Sequence, residues 1–391
     1  MLEFIFSILI LFVPVIALVK KRFLSYFLPL AMASSPYFTA LSLFGSFFLN
    51  LNYIFKKVPR EISFLLIIWF GYASLSLLFN NLNITSLSEL IQLFIAIIFF
   101  RYIFNFSSSK SGQKITLQSI LFSGILLCLF EISIFIFSID VDTNAFAGIT
   151  PHNYASFFIV FSTVIIPFYV IRNFTLKYLI ILIGFITLNL NAGRAMQIVA
   201  ISIVIMQYLF SNEKTLGTLI KTFLVLFFLS LLATIIDLNK LQEESYNPNS
   251  LFSVINFDNN FSNLERLNLL IMSYDLFIEK PFGHGIGSSA SLFIGNTYTE
   301  IQNYPHPHNT LAFMAVELGV IGILIYAYLI FIIFNRYRDL KNIHQKNLLR
   351  NSLFCFFCFS VVEPVFYNGL LTIIVAMFLG IILSIGFSKN E

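Results

Sequence analysis

The stretch YPHPHNTLAFMAVELGVIG, residues 304–322, brings two histidines to the start of a long apolar run. Pro305 and Pro307 fix their own φ angles and disfavour helix in the residue before them, which predicts an extended chain up to His308. Asn309 is then a candidate N-cap of the apolar helix. The positive end of the helix dipole and partial burial both favour neutral imidazole at His308. Neutral imidazole accepts protons near neutral pH, so His308 is a candidate general base.

His306 and His308 could instead form a metal pair. The nearby acids are scattered between residues 258 and 300 and give no recognised ligand spacing. We therefore expect no metal and no other cofactor, and we place His306 in the wall of the same cavity as His308.

Arg194, in LNLNAGRAMQ, separates two apolar segments at about 178–191 and 195–210. Each segment is shorter than the roughly 20 residues that cross a membrane, which predicts a broken helix lining a cavity. An arginine there requires an anionic group or water. The alternative is an interfacial anchor that reaches lipid phosphates.

Arg266 lies in NLERLNLLIMSYDLFIEKPFG, where apolar residues recur at helical spacing. The recurring residues are Leu264, Leu267, Leu270, Ile271, Tyr274 and Ile278. This pattern predicts an amphipathic lid helix on the outer membrane–water boundary. Arg266 is either a surface charge or, with Arg194, a clamp for phosphate oxygens.

Three further motifs accompany these residues. GITPHNYASFF repeats the Pro-His-Asn helix entry at His152 and Asn153, which form either a helix cap or a second wall of the cavity. Gly319 and Gly322 follow His308 by 11 and 14 residues, which places all three within about 40° of one helix face and predicts close helix packing. GHGIGSS, residues 283–289, is predicted to be a tight turn that ends the lid helix.

The elements that position these residues are membrane helices. The 391-residue chain is 58% hydrophobic and 11% charged, with mean hydropathy +0.88, whereas soluble domains carry about 25% charged residues. Cys355 and Cys358 are expected to be helix filler, with no disulfide or zinc motif. Apolar runs fall near 1–19, 23–55, 62–79, 88–105, 115–139, 154–172, 178–210, 218–237, 309–334, 350–368 and 370–387. With the 23–55 and 178–210 runs each broken into hairpins, we predict an all-α polytopic membrane protein of 12–13 spans, with a retained first helix and one large external loop.

Basic residues orient these spans. Nineteen of the 23 Lys and Arg residues fall on one side, which is therefore predicted to be cytoplasmic. The exceptions are Arg194, Lys240, Arg266 and Lys280, and four of the five histidines also lie on the external side. We divide the chain into an N-terminal bundle (1–237), an external loop with the lid helix (238–308) and C-terminal helices (309–391).

Acidic residues in apolar runs leave a second interpretation open. Glu131 and Glu363 are predicted to be intramembrane, and Glu317 lies about 180° around its helix from His308. Intramembrane carboxylates often mark ion or proton paths, which keeps a flippase or transporter as the alternative, although these acids could equally pair with buried donors.

The sequence resembles the bacterial O-antigen polymerase and O-antigen ligase superfamily in three motifs. They are His308-Asn309 followed by Gly319-x-x-Gly322, the arginine of NAGRA, and the arginine-bearing lid helix that ends in Pro and Gly. The resemblance covers most of residues 110–380. It implies a metal-independent, C-type glycosyltransferase in the bacterial inner membrane, whose active site faces the periplasm.

In this resemblance, Arg194 and Arg266 bind the diphosphate of an undecaprenyl-diphosphate-linked glycan, and His308 is the general base on the acceptor hydroxyl. The implied partners are the lipid-linked donor and acceptor, the lipid bilayer, a chain-length regulator and a flippase, with no nucleic acid. We favour a polymerase that extends lipid-linked chains over a ligase that transfers them to lipid A-core, because few basic residues lie outside.

Overall fold

The computed structural model describes residues 51–78, 84–136, 145–146, 150–190, 194–209, 261–293, 306–366 and 369–385. The predicted spans at 1–19 and 218–237, most of the 23–55 run, Lys240 and Pro305 lie outside the described residues. The elements in chain order are α1 (Leu51–Phe55), α2 (Arg60–Ser76), α3 (Ile84–Ser107), α4 (Lys110–Ile136), β1 (Ala145–Phe146), β2 (Thr150–Pro151), α5 (His152–Ile159), a π-helix (Val160–Ile165), α6 (Pro167–Val170), α7 (Phe174–Leu190), α8 (Arg194–Leu209), α9 (Phe261–Glu279), α10 (Ser289–Phe293), α11 (Thr310–Asp339), α12 (Ile343–Val362) and α13 (Gly369–Ser384).

Apolar helices dominate this architecture. Three of those described are long and apolar enough to cross a membrane: Ile84–Ser107, Lys110–Ser133 and Thr310–Asp339. Shorter apolar helices span Ala155–Val170, Phe174–Leu190, Ala195–Leu209 and Ile374–Ser384. The two strands are a minor feature, pairing Ala145 with Pro151 and Phe146 with Thr150. The protein is an all-α polytopic membrane protein, as predicted.

The predicted break in the 178–210 run is confirmed. Helix α7 ends at Leu190 and α8 begins at Arg194, so the apolar run contains two short helices, and residues 191–193 lie outside the described residues. Polar residues in that segment interrupt the apolar pattern, and neither helix alone reaches the roughly 20 residues of a full span.

A π-helix interrupts the span that begins at His152. All six residues from Val160 to Ile165 are buried. A Cβ atom on Gly124 would contact the Ser162 side chain, and one on Gly184 would contact Thr163. The two glycines therefore let α4 and α7 pack closely against the π-helix, which fixes the position of this span in the bundle.

Hydrogen bonds at one end of the bundle show which helix ends lie together. The Asn351 amide donates to Gln207 Oε1 at 2.9 Å and to the Tyr169 hydroxyl at 3.3 Å. Arg194 begins α8 thirteen residues before Gln207, and Glu363 follows Asn351 by twelve residues. At a rise of 1.5 Å per residue, Arg194 is therefore about 20 Å along the helix from Gln207, and Glu363 is about 18 Å from Asn351. Helices α8 and α12 pack against each other and run in opposite directions, so Arg194 and Glu363 lie at the same end of the bundle, which we call the site end.

The predicted lid helix is present as α9. Leu269 on one face is 2% exposed and packs with Phe293 and Val316. The opposite face exposes Leu267, Leu270, Ile271, Tyr274 and Ile278. Five members of the predicted apolar stripe are therefore turned away from the protein, as expected of a helix whose second apolar face contacts lipid.

The turn after α9 docks on α11 through backbone hydrogen bonds. His284 N–H donates to Val316 O and Gly285 N–H to Glu317 O, both at 2.9 Å, while Val320 N–H donates to Pro281 O at 2.8 Å. Helix α9 ends at Glu279, so the GHGIGSS segment follows the lid helix as the predicted turn.

These bonds coincide with an unpredicted break in α11. Gly319 has φ 60° and ψ −149°, outside the helical region, and this conformation is essentially restricted to glycine. A regular helix would direct the Val316 and Glu317 carbonyls to residues 320 and 321; here the docked turn supplies their donors.

The predicted single helix face for His308, Gly319 and Gly322 is therefore wrong. A Cβ on Gly319 would contact the backbone of Pro281, Phe282 and Gly283, which belongs to the turn and not to a neighbouring helix. A Cβ on Gly322 would contact the Met314 carbonyl oxygen of its own helix. Both glycines allow other backbone atoms to come close, as predicted for small residues. These close contacts belong to the break in α11 and not to packing against a neighbouring helix.

Candidate functional site

His308 lies one residue before the N-cap of α11 and pairs with Glu363. His308 Nδ1 is 3.3 Å from Glu363 Oε1, and the two side chains are only 10% and 3% exposed. The predicted N-cap is also present, because the Asn309 side chain accepts a hydrogen bond from Ala312 N–H at 3.0 Å. Sequence reasoning assigned Glu363 no partner, so this pairing is new information from the structure.

Three hydrogen bonds hold the start of α11 against the end of α12 and the segment that follows it. Thr310 Oγ1 donates to Glu363 O at 2.7 Å and accepts from Val365 N–H at 3.1 Å. The Asn309 side-chain amide donates to Val361 O at 3.1 Å. Helix α12 ends at Val362, so Glu363 follows the helix as its C-cap residue. Its predicted position within the membrane stays a prediction.

His306 completes a compact histidine pair with His308. The two ring centroids are 5.0 Å apart with an interplanar angle of 69°, and His306 is 7% exposed. Burial, assisted by the nearby His308, lowers the pKa of His306 to about 4. His306 is therefore neutral at physiological pH. Its predicted place in the wall of the cavity stays a prediction.

Arg266 on the lid helix lies close enough to Glu363 for its charge to act on the carboxyl. Burial raises the pKa of Glu363, but the His308 hydrogen bond and the charges of His308, His306 and Arg266 outweigh it, so the net pKa is lowered. Of these groups the guanidinium is charged at every physiological pH. The structure thus brings Arg266, His306, His308 and Glu363 together from three separate parts of the chain.

Arg194, His152 and Asn153 are placed by their backbones, while their side chains lie outside the described set. Arg194 is the first residue of α8, and His152 and Asn153 are the first two of α5. The hydrogen bond between Tyr169 and Gln207 joins the far ends of these spans, so all three residues lie at the site end. Their predicted roles stay predictions.

A second buried polar cluster lies behind the docked turn. Glu317 is 2% exposed and accepts hydrogen bonds from Ser289 Oγ at 2.7 Å and Ser289 N–H at 3.2 Å. Glu89 on α3 faces the same carboxylate, and both acids receive the Gly287 N–H. Sequence reasoning missed Glu89, although a lone acid in an apolar segment is a visible signal. The predicted separation of Glu317 from His308 agrees with its place in this cluster.

No group of three or more His, Cys, Asp or Glu side chains suited to a metal ion occurs among the described residues. At the site end, Arg266 is suited to binding an anion and His308 to accepting a proton.

Comparison with known proteins gives the site a family context. Residues 179–327 match the model of the O-antigen ligase family. This match confirms the resemblance to the O-antigen polymerase and ligase superfamily. The matched range includes Arg194, Arg266, His306 and His308, while Glu363 lies beyond it.

A similar curated protein comes from Rickettsia conorii and is named as a polysaccharide ligase. The two sequences are 29% identical over 99 residues, which is 23% of this chain and 23% of the relative. The aligned part therefore spans about a quarter of that relative's length.

Proposed function

We propose that this protein is a membrane glycosyltransferase that transfers an undecaprenyl-diphosphate-linked glycan chain onto a lipid-linked repeat unit at the periplasmic face of the inner membrane. The observation that carries the proposal is the buried His308–Glu363 pair at the site end, with Arg266 close enough for its charge to act on Glu363. The O-antigen ligase match over residues 179–327 supports polymerase or ligase chemistry in general.

The reaction needs two functions that the site supplies. His308 removes the proton from the acceptor hydroxyl as that oxygen forms a bond to the anomeric carbon of the donor. The bond between this carbon and the diphosphate oxygen breaks, and undecaprenyl diphosphate leaves with the electron pair. Arg266, with Arg194 from the start of α8, stabilises the negative charge on the departing diphosphate. Two guanidinium groups make the proposed transfer metal-independent.

The lid helix explains how a lipid-linked substrate reaches these groups. Its exposed apolar face lies against the bilayer, and its other face packs on α11 through Leu269. Arg266 is therefore held at the membrane surface, where the diphosphate of a membrane-embedded carrier is located. The lipid bilayer, the lipid-linked donor and the lipid-linked acceptor are the partners of this reaction, with a chain-length regulator and a flippase acting alongside.

An O-antigen ligase is the second candidate, in which the same donor chain is transferred to lipid A-core. The names of the matching family and of the Rickettsia conorii relative favour it. Both candidates use the same donor, arginines and base, and they differ only in the acceptor.

The size of the surface glycan in a deletion strain separates the candidates. A core bearing a single repeat unit supports the polymerase. Bare core with long polymer still on the lipid carrier supports the ligase. A normal ladder in the deletion strain contradicts both candidates. If the deletion strain instead loses the transport of unpolymerised glycan, the result supports a flippase.

A further inference from the structure

The contact between Glu363 and His308 bears on which nitrogen of the His308 imidazole carries the hydrogen. The carboxylate faces Nδ1 of the imidazole at 3.3 Å, and both side chains are nearly enclosed. An ionised carboxylate can only accept a hydrogen bond, so Nδ1 carries the hydrogen and the lone pair lies on Nε2. We propose that Glu363 is a positioning residue that selects this tautomer of His308 and orients its ring toward the acceptor hydroxyl.

The inference rests on the proposed function, in which His308 accepts the hydroxyl proton. Glu363 acts through His308 and makes no contact with substrate in this proposal. The arrangement of His308 and Glu363 matches that of a histidine base in which a carboxylate orients the ring through the nitrogen that does not take the proton.

The backbone around Glu363 is fixed in a way that suits this role. Thr310, two residues after His308, binds both the Glu363 carbonyl and the Val365 N–H through one hydroxyl. Asn309 binds the Val361 carbonyl. Three consecutive residues, His308 to Thr310, thus bind a five-residue segment around Glu363, so the carboxylate and the imidazole are held in register from both sides.

The groups around Glu363 favour its ionised form. Among the described residues, the groups that face it are His308 and His306 from the segment before α11 and Arg266 from α9. They lower the pKa of Glu363 despite its burial. A carboxylate that stays ionised both holds the Nδ1 hydrogen and stabilises the imidazolium that forms when Nε2 takes a proton.

Replacing the carboxylate has two separable effects. Glu363→Gln retains an oxygen that can accept the Nδ1 hydrogen but removes the negative charge, so the imidazole becomes harder to protonate. The acidic limb of the pH–rate profile then moves to lower pH while the maximal rate falls. Glu363→Ala also removes the orienting contact, so its rate falls further.

The test uses full-length protein purified in detergent and mixed with membranes of a deletion strain, whose own lipid-linked glycan is the substrate. Chain extension or transfer is followed by gel at limiting and saturating glycan from about pH 5 to pH 9. The variants are Glu363→Gln, Glu363→Ala and His308→Ala. Glu61→Gln is the matched control, because Glu61 pairs with Arg336 at 3.0 Å on the exposed surface.

We expect kcat to fall about tenfold in Glu363→Gln and about a hundredfold in Glu363→Ala, with KM nearly unchanged. The acidic limb moves to lower pH in Glu363→Gln and stays in place in Glu61→Gln. Equal losses in both Glu363 variants, with an unmoved limb, overturn the positioning role and leave the proposed function intact if His308→Ala is inactive. An active His308→Ala refutes the proposed function itself.

Discussion

Substitution of Gly319 by alanine tests how the docked turn and α11 hold each other. Gly319 has φ 60° and ψ −149°, a conformation that costs a residue with a side chain about 1–3 kcal/mol. The added Cβ would also contact the backbone of Pro281, Phe282 and Gly283. The turn must then move away from α11, which weakens or breaks the three backbone hydrogen bonds donated by His284, Gly285 and Val320.

Each lost backbone bond costs about 0.5–1.5 kcal/mol. With the backbone strain, we expect Gly319→Ala to lower the free energy of unfolding by about 2.5–7.5 kcal/mol if all three bonds break. Because the turn continues from the lid helix that carries Arg266, glycan transfer should fall as well.

The assay is unfolding of purified protein in mixed micelles, followed by the fluorescence of the single tryptophan, Trp69. Gly71→Ala is the matched control, since a Cβ there meets nothing within 4 Å and alanine is favoured over glycine in a helix by up to about 1 kcal/mol. A Gly319→Ala variant as stable as the Gly71→Ala control would refute this account of the break in α11.

Three further outcomes are expected. Arg266→Lys should weaken glycan binding, measured as KM, less than Arg266→Ala does, because lysine keeps the charge and loses the bidentate geometry; equal KM values in all three proteins would contradict the clamp. Glu317→Ala should cost about 1–3 kcal/mol in unfolding experiments, because it leaves the Ser289 donors buried without their acceptor, whereas Glu317→Gln should cost less. Burial holds the pKa of His306 near 4, below its ordinary 6.5, so the unfolded chain binds a proton at His306 before the folded protein does as pH falls. The free energy of unfolding of wild type, relative to that of His306→Gln, should therefore be constant above about pH 6.5 and fall by about 2 kcal/mol by pH 5. A difference that does not change with pH would contradict this prediction.

Much of the fold follows from local signals in the sequence. The Asn309 cap and the break before Arg194 are encoded within a few residues, by a short polar side chain and by polar interruptions of an apolar run. The lid helix follows from apolar spacing between Leu267 and Ile278. These features depend on neighbours along the chain, which is why they could be predicted.

The features that could not be predicted depend on distant segments. Glu363 is 55 residues from His308, and only the packing of α11 beside α12 brings the two together. The break at Gly319 requires the turn at 281–285 as a substitute hydrogen-bonding partner, so a helical pattern alone favours a continuous helix. Glu89 and Glu317 meet around Gly287 for the same reason.

The most direct test of the central claim is the surface glycan of a deletion strain complemented with His308→Ala at wild-type protein abundance. If His308 accepts the hydroxyl proton, the variant reproduces the glycan profile of the deletion strain, while wild type restores the full ladder. A full ladder from the His308→Ala strain would contradict the proposed chemistry.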